Sequence, residues 1–110
     1  MKIKDVVMKH LSKPKFFTTK VESSEDNKMS ITLTPFGEAT ATLWTAVLKD
    51  FFTDLGTTVN RSSLSLLEGR NCISKLWILD DGKLDLKELN ICAVDILEWD
   101  ITQIVIEMEV

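Results

Sequence analysis

The stretch "GKLDLKELNICAVDILEWDITQIVIEMEV" (residues 82–110) decides how the rest of the chain is read. Leu84 and Leu86 stand at even positions, then Leu89, Ile91, Ala93, Leu97, Trp99 and Ile101 at odd ones. Ile104, Ile106, Met108 and Val110 are even again. Side chains alternate strictly along a strand, so a straight strand cannot change parity. Read as β-structure, the segment bulges or turns near Lys87 and Glu88 and again between Asp100 and Gln103. Its last piece reads as extended to Val110, and a closing strand tends to lie on a sheet edge, where unpaired backbone invites another chain. Val105 places an apolar side chain opposite the Ile104/Ile106 face as well. The expectation is an inter-subunit strand carrying Ile101, Gln103, Val105, Ile106, Glu107 and Met108.

Upstream of this stretch, residues 72–79 are apolar on both faces, the pattern of a central strand. Asp80, Asp81, Gly82 and Lys83 then form a turn signal with Asp-Gly in the hairpin position, a second candidate contact. Near the start, Met29, Ile31 and Leu33 alternate with Ser30, Thr32 and Thr34 as in a half-buried strand. Residues 16–21 are rich in aromatic and β-branched types and read as its hairpin partner, across the polar residues 23–28, and as a further candidate contact strand. One wide helical stripe carries Trp44, Val47, Leu48, Phe51, Phe52 and Leu55, stopped by Gly56. Thr34-Pro35 is a candidate start for that helix. Ile3, Val6, Val7 and Leu11 mark a short amphipathic helix that Pro14 ends. Residues 62–68 read as one more helical turn or an ordered loop. The pattern predicts a single α+β domain over residues 1–110. Its expected core is an antiparallel β-sandwich or partly closed barrel of roughly five to seven strands, with one main amphipathic helix and a short N-terminal one.

The 110 residues carry a formal net charge of −4, which argues against phosphate-backbone binding as the main task, since that needs clustered Lys and Arg. Cys72 and Cys92 each sit in a strand-like apolar run and lack metal-ligand spacing, so two buried free thiols are expected. No apolar run approaches the ~20 residues of a membrane helix, and the expectation is a soluble protein without a membrane partner. His10, the one histidine, has no carboxylate or cysteine at a useful sequence spacing. Asp80, Asp81, Asp85 and Glu88 lack the order of a calcium loop. Asp95, Glu98 and Asp100 read as a solvated strand face, and Trp44, Trp77 and Trp99 as core. No nucleophile, phosphate-loop, dinucleotide or zinc signature occurs. The reading is of a non-enzyme with no cofactor and no metal.

Three segments together resemble the inner-tube proteins of contractile bacteriophage tails and related injection machines. "SKPKFFTTKV" (residues 12–21) is similar to that family's opening, where a short helix and a proline lead into the first strand. "MSITLTPFGEATATLWTAVLKDFFTDLG" (residues 29–56) resembles its alternating strand running into one amphipathic helix. Residues 82–110 resemble its C-terminal pattern, with Glu98-Trp99-Asp100 as the acidic-flanked tryptophan before a last amphipathic strand. The resemblance implies a virion structural protein, made in the host cytoplasm and carried in the tail. Its copies would close into a ring, commonly a hexamer, around a channel that DNA passes without specific binding, with other tail or baseplate proteins as neighbours. That family has an extended excursion between its first strands, and here residues 23–28 are all that stand there. The competing expectation is a small phage-encoded binding module that docks on or inhibits a host protein.

Overall fold

The computed structural model describes residues 3–23, 27–36, 38–56, 58–78 and 84–109. The elements run α1 (Ile3–His10), β1 (Phe17–Ser23), β2 (Lys28–Pro35), α2 (Ala41–Leu55), β3 (Arg61–Glu68), β4 (Asn71–Ile78), α3 (Leu86–Glu98) and β5 (Gln103–Glu109). The five strands form one open sheet in the order β1-β2-β5-β3-β4. Every neighbouring pair is antiparallel. The α+β class holds. The sheet does not close into a barrel, and its second layer consists of helices.

Burial follows the strand period in β5, whereas at the middle of β3 Ser62, Ser63 and Ser65 are buried along with Leu64 and Leu66. Ile31 and Leu33 of β2, Leu64 and Leu66 of β3, and Ile104, Ile106 and Met108 of β5 are all buried. The register aligns them in rows, Ile31 beside Ile106 and Ile106 beside Leu64, then Leu33 beside Ile104 and Ile104 beside Leu66. Against this face pack Ile3, Val6 and Val7 of α1 and Trp44, Val47, Leu48, Phe51, Phe52 and Leu55 of α2, in one hydrophobic cluster. The Trp44 ring stacks on Phe17 with centroids 5.1 Å apart, joining α2 to β1.

Helix α2 starts later than Thr34-Pro35 suggests. Its N-cap is Thr40, whose side chain accepts from the Leu43 amide at 3.1 Å. Thr34 and Pro35 instead end β2, opposite Thr18 and Phe17. Pro35 is tolerated there because β5 pairs with β2 only as far as Leu33, so no hydrogen bond of that ladder is lost. Gly56 ends the helix at φ +54, a backbone conformation that favours glycine.

Two segments change class. Residues 62–68 lie in β3, between β5 and β4. Leu64 and Leu66 point into the core and Ser63 and Ser65 away from it, a two-residue period too short to stand out in sequence. The larger correction is α3, where the sequence reads as β-structure. Asp85 caps it, its side chain accepting from the Lys87 and Glu88 amides at 3.1 and 3.2 Å. Leu89, Cys92, Ala93 and Ile96 are its buried residues, an i, i+3, i+4, i+7 set. The odd-numbered run that imitates a strand includes Ile91, Leu97 and Trp99, all exposed. The parity break near Lys87 and Glu88 is therefore the start of a helix rather than a bulge.

α1 is tied down at its C-terminal end. Thr19 Oγ1 donates to the Leu11 carbonyl. Asp54 of α2 lies 2.8 Å from His10 Nε2 and 3.4 Å from Lys9 Nζ. The hydrogen bond to His10 is the main reason the Asp54 carboxyl sits below its ordinary value of 3.8, with Lys9 adding to it and burial opposing. A depressed carboxylate contributes stability above pH 3.8 that is lost as pH falls through the lower folded value. For Asp54→Asn, the melting-temperature gap to the wild type is therefore expected to narrow below pH 3.8. The gap stays small throughout because the pair is only partly buried and water still screens it. Thermal melts across pH 2–7 measure it, and a gap that widens on acidification would contradict the assignment.

Candidate functional site

The helices leave three surfaces for function: the opposite face of the sheet, its two outer edges, and their own outer side. On the opposite face the register sets Glu22, Ser30, Glu107, Ser63 and Trp77 in one row across all five strands. Lys20, Thr32, Val105, Ser65 and Lys75 form the next row. Ser30 and Thr32 on β2 and Ser63 and Ser65 on β3 are short side chains that flank Glu107 and Val105 on β5, between longer ones on β1 and β4. The result is a groove of about 310 Å³ lined by, among others, Glu22, Ser30, Ser63, Trp77 and Glu107. Trp77 stands 55% exposed at one end of it. The Arg61 guanidinium carbon lies 5.3 Å and Lys75 Nζ 4.5 Å from its ring centroid, so both cations lean on the indole. At the other end Lys20 Nζ lies 2.9 Å from Glu22 Oε1, and that pairing raises the Lys20 pKa.

The expected contact strand moves. β5 lies at the centre of the sheet, paired with β2 on one side and β3 on the other. Its backbone has no free edge for another chain. Ile106 and Met108 face the core and are buried, and Ile101 packs partly against the same cluster. Gln103 and Glu107 are exposed and Val105 half-buried. The strands that end the sheet are β1 and β4, so β4, read from sequence as central, is an edge. The hairpin proposed at Asp80, Asp81, Gly82 and Lys83 lies outside the described residues, as does the middle of the loop at 24–26. Among the described residues the segment after it begins a helix at Leu86, and no strand pairs with the outer side of β4.

Of the three tryptophans only Trp44 is core; Trp77 and Trp99 are exposed because an edge strand and a helix end cover neither. The cysteines divide in the same way. Cys92 is buried in α3 and Cys72 exposed on β4. Burial pushes the Cys92 thiol up, away from the thiolate that reacts, against a weak contact of 3.9 Å to Ser74 Oγ. Among the described residues no group of three or more His, Cys, Asp or Glu side chains is placed to hold a metal ion. No described helix is long and apolar enough to cross a membrane.

Two signals for α3 lie in the sequence beside the alternating pattern. Asp85 followed by Glu88 is a capping-box spacing, and Leu89, Cys92, Ala93 and Ile96 keep helical period. Comparison with known proteins finds no family model, no curated protein and no solved structure that matches this chain.

Proposed function

We propose that the protein is a non-catalytic assembly subunit of the tail-tube kind, joined to neighbouring copies through the open edges of its sheet. One observation carries this reading: among the described residues a single sheet ends in two unpaired edges while the helices pack on one face. Four antiparallel steps separate β1 from β4, so the two edge strands run in the same direction. Copies related by rotation about an axis along the strands would then join β4 to the next β1 in parallel. That geometry is heterologous and closes into a ring. The wider helix layer would lie outside and the sheet inside. The inward face would mix Lys20, Lys28, Arg61 and Lys75 with Glu22, Glu107 and Glu109, with two of the cations leaning on Trp77. A surface so balanced suits DNA that passes without being held. Other tail or baseplate proteins would flank the ring within the virion.

Light scattering on a sizing column, followed by negative-stain electron microscopy, tests the proposal. Rings or short tubes of one repeating mass are expected. A strict monomer at high concentration, or a two-fold dimer joined through like edges, would count against it.

The exposed Trp77 favours a second reading, a binding module that captures one partner in the groove. Tryptophan and arginine are the residue types that dominate interface energetics. A monomer whose Trp77→Ala variant loses a partner while keeping its fold would support that alternative.

A further inference from the structure

Helix α3 is apolar on two sides, and only one of them is used inside the molecule. Leu89, Cys92, Ala93 and Ile96 are buried. Leu86, Ile91, Val94 and Leu97 are 47, 46, 41 and 52% exposed. At 3.6 residues per turn, these four fall with Lys87, Asn90 and Glu98 in one sector roughly 140° wide. Glu88 and Asp95 lie outside it. Beside this sector a groove of about 450 Å³ separates α3 from α2, where Ala41, Thr42, Thr45 and Ala46 give its wall short side chains and Lys49 and Asp50 line it too. A second helix can settle closely against such a wall.

We infer that the occupant is α3 of a second copy, packed antiparallel about a two-fold axis near the middle of the helix. The charges on the exposed sector are self-complementary. A two-fold pairing of position i with position j that sets Ile91 against Val94 also sets Lys87 against Glu98, twice over. Within one chain both charges are misplaced. Lys87 stands in the first turn, at the positive end of the helix dipole, and Glu98 closes the last turn, which holds no basic residue, at the negative end. An antiparallel partner brings the opposite charge and the opposite dipole end to each of them. The apolar side chains supply the attraction and the two ion pairs fix its direction. A contact of one helix on another belongs to the small, transient class of interface, so association should appear as concentration rises.

The inference does not depend on the edge-joined ring. Carbodiimide coupling of the full chain, with peptides identified by mass spectrometry, is expected to link Lys87 to Glu98. Eleven positions of helix hold them about 16 Å apart within one chain, so such a link can form only between copies. In sedimentation equilibrium, Lys87→Glu and Glu98→Lys should each weaken this association about tenfold, and an equimolar mixture should restore it. Val94→Glu should weaken it at least as much while leaving the far-UV spectrum unchanged. Absence of the Lys87–Glu98 link in the wild type would overturn the inference. So would a mixture of the two charge-reversed variants that associates no better than either alone. Rings without this link, or the link without rings, would separate the two proposals.

Discussion

Ile106→Lys is expected to unfold the protein, while Val105→Lys, one position away, leaves it folded. Ile106 is fully buried at the centre of the sheet, between Ile31 on β2 and Leu64 on β3. A lysine there stands in the hydrophobic cluster and must either bury its charge or give up its proton, while also displacing apolar contacts. Such substitutions cost about 4 kcal/mol or more, a large part of the ~5–15 kcal/mol that holds a domain together. Val105 faces the helix-free side, between Thr32 and Ser65, where a lysine stem can reach water. Its replacement should change stability by no more than about 1 kcal/mol. Urea denaturation followed by far-UV circular dichroism measures both. Equal stability for the two variants would mean that β5 does not occupy the centre of the sheet.

Trp44→Ala should cost about 3–5 kcal/mol, the range for removing a buried aromatic side chain. Trp44 is 2% exposed and stacks on Phe17, so its loss opens a cavity between α2 and the β1 edge. The neighbouring core, including Phe51 and Leu48 on the same helix, is fixed by its own packing and can collapse only partly into that space. Trp77→Ala and Trp99→Ala remove side chains that are half in water, and should cost less than 1 kcal/mol each. Thermal melts of the three variants rank them. If Trp99→Ala proved as costly as Trp44→Ala, the end of α3 would be packed rather than open.

The three tryptophans show how much was legible and why the rest was not. Trp44 sits on a long, regular helical stripe from Leu43 to Leu55, and periodicity over that length is unambiguous. Trp77 and Trp99 sit in short apolar runs where exposure depends on neighbours distant in sequence. Trp77 is exposed because it stands on the helix-free face of the last strand, and no local pattern records strand order. Residues 84–101 read as β-structure because their helical and alternating patterns share Leu89 and Ala93. Asp85 decides between them by satisfying the first amides of α3. The His10–Asp54 contact joins residues 44 apart, beyond any spacing rule.

The α+β class, the first hairpin, the core stripe of α2 and the short α1 follow from local periodicity, because burying one face forces a repeat of 2 or 3.6 residues on the chain. Which strands stand at the edge is a different kind of question. β5 leaves α3 and inserts between β2 and β3, strands that a helix and a connection separate in sequence. That insertion is set by how the apolar rows of three strands match under the helices, a property of the packed sheet as a whole. It converts the closing strand from a joint into the centre of the core and passes the open edges to β1 and β4.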